Sequence, residues 1–158
     1  MNIGGYRPNV AIMLFNEEKK IFMAKRIGAN DTIQHHQYQT AQGGVEDGET
    51  EEQAIIREVF EELGLQNLEF IAKSEYYYYD FPESFNKPKR GQKQLWFLAP
   101  FSKNRENEIN FNTTGHPEFN DYKWVDKDSF AAEIIYFKKD VYEKALKEFW
   151  PIIEKYKF

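Results

Sequence analysis

The sequence predicts one domain of the α/β or α+β class. Three observations lead there. The chain has 158 residues, enough for one domain with a real core, and no repeat, low-complexity tract or Pro/Gly/Ser linker divides 1–158. Hydrophobic residues make up 41% and charged residues 30%, the balance of a globular chain with a solvated surface. Strand-like runs and helix-like stripes interleave along it.

Val10–Phe15 is an apolar run closed by the turn signal Asn16-Glu17, and Ile21–Ile27 alternates loosely after it. Together they read as a strand pair. Gly28–Gln39 is polar and reads as a loop. Gln42-Gly43-Gly44 reads as a tight backbone feature. A helix is expected from Thr50: Thr50 and Gln53 have the capping-box spacing, and Ile55, Ile56, Val59, Phe60 and Leu63 supply an apolar stripe. Gly64 is a natural C-cap. Leu68–Phe81 is strand-like and rich in Tyr, and Pro82–Gly91 is a loop carrying Lys87, Lys89 and Arg90. Gln94–Phe101 and Asp121–Val125 are further strands. Asp140–Phe149 is an amphipathic helix that Pro151 is expected to kink or end. Local pattern does not encode the order of strands in the sheet.

Composition removes several kinds of chemistry. With no Cys, disulfides, zinc-thiolate sites and cysteine nucleophiles are excluded. No apolar run is long enough for a signal peptide or a membrane span, so a cytoplasmic protein without a membrane partner is expected. The net charge of −5 is uneven. Segment 43–65 holds eight acids against Arg57, a charge of −7, which leaves +2 for the rest. An acidic knot in a mildly basic body suits a metal site beside a phosphate site, although a solvated acidic helix produces the same count.

Glu58, Glu61 and Glu62 have the spacing i, i+3, i+4, which puts three carboxylates on one helix face. Unpaired, they repel, and Arg57 is the one base in that segment. Clustered carboxylate oxygens suit a hard cation such as Mg²⁺, which can bridge phosphate oxygens and acidify a water. The wider pattern runs Gly43-x₅-Glu49-x₇-Arg57-Glu58-Val59-x-Glu61-Glu62-x-Gly64-Leu65. Its fixed identities would coincide by chance on the order of 10⁻⁷ or less at ordinary residue usage.

That pattern resembles the Nudix box at every defined position, with the box at 43–65. The resemblance implies a Nudix fold, a mixed β-sheet sandwiched between α-helices, and a hydrolase acting on phosphoanhydride bonds. It implies that Glu58, Glu61 and Glu62 are metal ligands and that Gly43 brings a backbone carbonyl to the metal. Arg57 orients the carboxylates and Glu49 pairs with Arg57. The implied cofactor is Mg²⁺, with Mn²⁺ able to substitute. Zinc is not expected: the adjacent His35 and His36 are poor co-ligands, and His116 reads as structural.

Further segments resemble the bacterial RNA pyrophosphohydrolases, close relatives of the dinucleoside polyphosphate hydrolases. They are Tyr6-Arg7-Pro8-Asn9-Val10, Gln42-Gly43-Gly44, Gly91-Gln92-Lys93-Gln94, Pro117-Glu118-Phe119 and Phe137-Lys138-Lys139-Asp140-Val141-Tyr142. By that likeness Glu118 is a further metal ligand or base, Arg7 and Lys138 contact the 5′ phosphates, and Arg26 with Phe137 clamps a base. The chemistry suits those roles, since Arg and Lys match phosphate oxygens while an arginine plane and a ring can sandwich a base. Lys87, Lys89, Arg90 and Lys139 read as solvated cations. The sequence departs from the family at Tyr38-Gln39-Thr40-Ala41 and in a long preceding loop, on the base-binding side. Three functions stay open. The first is removal of terminal phosphates from 5′-triphosphate RNA, and the second is hydrolysis of diadenosine tetraphosphate or its like. The third is a non-catalytic binding module, which the intact set of box glutamates disfavours. DNA is not an expected partner.

Overall fold

The computed structural model describes residues 5–27 and 37–158. His35, His36 and most of the long loop before Tyr38 therefore lie outside the described residues. The elements are β1 (Tyr6–Phe15), β2 (Ile21–Arg26), β3 (Tyr38–Gln39), β4 (Gln42–Gly44), α1 (Glu51–Leu63), β5 (Ala72–Asp80), β6 (Gly91–Pro100), β7 (Phe119–Val125) and α2 (Lys139–Lys155).

The sheet runs β3-β2-β1-β6-β5, with β4 on β1 and β7 on β2. It is mixed: β1 and β6 pair in parallel from Tyr6↔Gly91 to Phe15↔Pro100, and the other pairings are antiparallel. Alternate residues of β1 and β6 feed two separate cores. Val10, Ile12, Leu14, Leu95 and Phe97 pack under Ala54, Ile55, Val59 and Leu63 of α1. Ala11, Met13, Phe15, Trp96 and Leu98 pack under Val141, Tyr142, Ala145 and Phe149 of α2. This explains why Val10–Phe15 is apolar without alternation: both faces of the central strand are covered. The layers are helix, sheet, helix, and among the described residues no helix is long and apolar enough to cross a membrane.

Several boundaries differ from the sequence reading. β1 begins at Tyr6 rather than Val10, because the pairing with β6 extends through Pro8, whose carbonyl accepts from Val45 N–H at 3.1 Å. Tyr38–Gln39 is a short strand on Ala24 and Lys25 rather than loop. β5 starts at Ala72 instead of Leu68; Leu68 and Phe70 pack on the α1 core from outside the sheet. In α1, Ile56 and Phe60 are exposed, and the buried side is Ala54, Ile55, Val59, Glu62 and Leu63. Glu62, seven positions after Ile55, falls within about 20° of it around the helix, whereas Phe60 points well away. Pro151 does not end α2, which continues to Lys155 because Ile153 in its last turn is fully buried.

Candidate active site

The site is built on α1 and the short β4 that faces it. The capping box forms: the Thr50 side chain accepts from Gln53 N–H at 3.1 Å, and the Gln53 side chain accepts from Thr50 N–H at 2.9 Å. Gly64 closes the helix at φ 74°, a left-handed value that glycine adopts without strain.

Arg57 organises the carboxylates. Nε and Nη2 donate to the two oxygens of Glu49 at 2.7 and 2.9 Å, a bidentate pair. Nη1 donates to Glu58 at 2.8 Å and to Glu61 at 3.0 Å, and Nη2 also reaches the Gly44 carbonyl at 2.9 Å. The Arg57 hydrogen bond, then the Glu46 backbone, hold the Glu49 carboxyl down at about 2. The guanidinium is held charged, chiefly by Glu49.

Glu58 lies over the backbone of β4. A Cβ on Gly43 would land on the Glu58 carboxylate, so glycine at this position is a demand of close approach. Burial pushes the Glu58 carboxyl up, against the pull of Arg57. Glu62 is 9% exposed, and its Oε1 accepts from Gln42 N–H at 3.0 Å. Burial, and then the charge of Glu58, push its carboxyl up to about 9; Glu118 and Glu61 add to the same field. Glu118 is exposed at the start of β7, where its carbonyl accepts from Ile27 N–H at 2.9 Å. The structure thus brings Glu58, Glu61 and Glu118 each within electrostatic reach of Glu62.

Among the described residues no three such side chains converge as a finished ligand set. The reason is visible: Arg57 draws Glu58 and Glu61, and Gln42 N–H draws Glu62. The donor set nonetheless fits a hard divalent ion. Every candidate donor is oxygen, Glu62 sits desolvated among like charges, and Gly43, lacking a Cβ, lets the Glu58 carboxylate come against the β4 backbone.

The cations gather beside this cluster. The Arg7 guanidinium covers Gly44, where a Cβ would strike it, and its charge reaches Tyr79. Lys138 Nζ stands 6.0 Å from the Tyr79 ring centroid. Burial, then the neighbouring Arg26 and Lys87, push its ammonium down to about 8, while Glu62 opposes them. Phe137 is half-buried and packs on Tyr79, Phe81, Phe85 and Tyr136 at centroid distances of 5.9, 6.3, 5.2 and 5.5 Å. That ring is anchored in the α2 core as well as lying next to Lys138.

Sequence reading assigned no role to an amide network that fixes β4. Gln94 Nε2 donates to Asn9 Oδ1 at 2.8 Å and to Gln42 Oε1 at 3.3 Å, and Trp96 Nε1 donates to Gln94 Oε1 at 2.8 Å. Thr40 N–H donates to the buried Tyr142 hydroxyl at 3.0 Å. The available signal was polar Gln94 leading into an apolar strand, since a buried amide calls for hydrogen-bond partners.

An acidic helix opposed by a glycine loop, in a mixed sheet with helices on both faces, is the arrangement that the box pattern implies for the Nudix hydrolases of phosphoanhydride bonds. The chain belongs to that family: the NUDIX domain model matches residues 5–145. Among curated relatives it is 43% identical over 155 residues to the RNA pyrophosphohydrolase of Wolbachia pipientis subsp. Culex pipiens (strain wPip), covering 94% of this chain and 92% of the relative. It is 38% identical over 161 residues to the RNA pyrophosphohydrolase of Aeromonas hydrophila, covering 94% and 86%. The fold is shared with the E. coli dihydroneopterin triphosphate pyrophosphohydrolase at TM-score 0.68 and 21% identity, covering 91% and 96% of the two chains. It is shared too with the C. elegans Ap4A hydrolase in a binary complex at TM-score 0.66 and 15% identity, covering 94% and 99%.

Proposed function

We propose that the protein is an RNA 5′ pyrophosphohydrolase, which converts 5′-triphosphate RNA to 5′-monophosphate RNA and acts in cytoplasmic RNA decay. The observation that carries this is the adjacency of the carboxylate cluster to the cations Arg7, Arg26 and Lys138. A polyanion with one nucleotide end fits across the two. The names of the relatives at 38–43% identity support the RNA assignment.

In this reading Glu58, Glu61, Glu62, Glu118 and the Gly43 carbonyl hold Mg²⁺, or Mn²⁺ in its place. The ion supplies charge neutralisation at the phosphates and an acidified water. The chain's own groups do the rest. Arg57 fixes the rotamers of Glu58 and Glu61 and ties them to the β4 carbonyl. Arg7 and Lys138 hold the phosphates in line, which is most of what phosphoryl transfer requires. Arg26 and Phe137 hold a base away from the carboxylates. Glu118, exposed beside β7, has two alternative roles: a further ligand of the ion, or, where it does not ligate, the base that takes the proton of the attacking water.

The test is a mass-resolved product assay on triphosphorylated RNA and on diadenosine tetraphosphate. We expect monophosphorylated RNA, with pyrophosphate or successive phosphates released, at the higher kcat/KM. A wide preference for diadenosine tetraphosphate would replace the RNA reading with the dinucleoside one.

A further inference from the structure

The edge of β4 that faces α1 serves the site directly. Gln42 N–H donates to Glu62 at 3.0 Å, and the Gly44 carbonyl accepts from Arg57 Nη2 at 2.9 Å. The strand's own backbone holds it weakly. It has three residues, and among the described residues it pairs with β1 alone, through Asn9↔Gly44, Val10↔Gly43 and Ala11↔Gln42. Two of the three are glycines, because a Cβ would strike the Glu58 carboxylate at Gly43 and the Arg7 guanidinium at Gly44. Gln42 is therefore the one residue of β4 with a side chain to anchor it.

Gln94 of β6 supplies the anchor point, and it is 1% exposed. Trp96 Nε1 can only donate, so at 2.8 Å it fixes the Gln94 amide with Oε1 towards the indole. The amide nitrogen then faces Asn9 Oδ1 at 2.8 Å and Gln42 Oε1 at 3.3 Å. Trp96 is itself locked edge-on against Tyr142 of α2, with ring centroids 4.8 Å apart. One line of donors thus runs from the α2 core through the sheet to the carboxylates: Trp96 to Gln94, Gln94 to Gln42, and Gln42 N–H to Glu62. Apolar groups of the same shape in place of a buried hydrogen-bonded pair can be nearly neutral for stability, so stability alone does not call for an amide here.

Resting on the reading that Glu58, Glu61, Glu62 and the Gly43 carbonyl hold a divalent ion, we propose that Gln94 is a positioning residue of this site. It acts through Gln42. By holding that side chain it keeps β4 against α1, where Gln42 N–H orients Glu62 and Gly43 meets Glu58. Without the anchor, three backbone pairings leave β4 able to shift against α1, and the donor set loosens. Groups that orient metal ligands typically account for about 10–100-fold in metal affinity or activity.

The experiment needs no substrate. The thermal midpoint of the full chain is titrated with Mg²⁺ for wild type, Gln94→Met, Gln42→Met, the double variant, and Ile153→Ala as a control in the last turn of α2. Gln94→Met also strands Trp96 Nε1 and Asn9 Oδ1, so its metal-free midpoint should fall. Gln42→Met cuts one link and keeps the rest of the network, which secures the test if Gln94→Met does not fold. Each single variant is expected to raise the half-saturating Mg²⁺ about ten-fold, and the double variant no further than Gln94→Met, because both break the same link. Ile153→Ala, a change at a fully buried side chain, should lower the midpoint and leave the half-saturating Mg²⁺ where it is. An unmoved half-saturation in Gln42→Met, effects that multiply in the double variant, or an equal shift in Ile153→Ala overturns the assignment. A wild-type midpoint that Mg²⁺ does not move rejects the metal reading itself, and the positioning role with it; that result is read before any variant is compared.

Discussion

Arg57 commits all five of its N–H donors: two to Glu49, one each to Glu58 and Glu61 through Nη1, and one to the Gly44 carbonyl. Glu49, Glu58 and Glu61 are therefore set by one planar group and Glu62 by the Gln42 N–H, and the remaining variable is their charge. Glu61→Gln or Glu62→Gln keeps the shape and removes a charge that the cation needs. The expected result is a kcat loss of roughly 10²-fold or more with the fold retained. A variant with near-normal kcat at saturating Mg²⁺ removes that residue from the ligand set. Lys138 gives a pH signature. Its ammonium is pushed down to about 8 by burial and Arg26, so in the free enzyme it loses its charge near that pH. With a folded value below the unfolded one, stability from this group rises as pH climbs from about 8 towards the ordinary lysine range, while phosphate affinity falls. A plot of log kcat/KM should bend down above pH 8 in wild type and stay level in Lys138→Arg, whose guanidinium does not deprotonate. The same downward limb in both proteins would assign it to another group.

At the scale of elements, α2 runs through Pro151, which lacks an N–H for the Lys147 carbonyl. Proline inside a helix costs about 3 kcal/mol against alanine, partly offset by about 0.4–1 kcal/mol from a stiffer unfolded chain. Pro151→Ala should then stabilise by about 2–2.6 kcal/mol, read as a higher denaturant midpoint at unchanged slope. An unchanged or lower midpoint would mean that the burial of Ile153 depends on a bend at the proline. Of the kink or stop expected at Pro151, the stop does not occur: the local rule carries no packing term, and the burial of Ile153 supplies one. α1 was legible for the opposite reason. Thr50, Gln53 and Gly64 are local signals, and each is used as read. The pairing of Arg57 with Glu49 was legible through the wider box pattern, which couples a residue before the helix to one inside it. The two-residue β3 and the Gln94–Asn9–Gln42 network were not, since they join residues up to 85 positions apart. Strand order is hidden for the same reason: the parallel pairing of β1 with β6 spans most of the chain.

Taken whole, the molecule segregates its charge: the segment that holds α1 carries −7 and the remainder +2. One acid of this segment lies on the buried side of α1: Glu62 is 9% exposed and feels the charges of Glu58, Glu118 and Glu61. Without a cation this arrangement opposes folding, because desolvation and like charge act together on one carboxyl. Glu62→Gln relieves both, and its Oε1 can still accept from Gln42 N–H, so the metal-free variant should be more stable than wild type by about 1–3 kcal/mol. Mg²⁺ reverses the balance. A ligand at a hundred times its Kd stabilises the folded state by about 2.7 kcal/mol, and a domain of this size shifts by roughly 2–4 °C per kcal/mol. Wild type should thus rise by about 5–10 °C from chelator to saturating Mg²⁺. The variant, short of one anionic ligand, should rise much less. Thermal melts of both proteins in chelator and in Mg²⁺ will therefore cross: variant above wild type without metal, wild type level with or above it in Mg²⁺. Activity should vanish in the same chelator, because the remaining carboxylates repel a polyphosphate. Equal shifts in the two proteins would place the ion elsewhere, and wild type the more stable of the two in chelator would mean that Glu62 is a structural acid satisfied by Gln42.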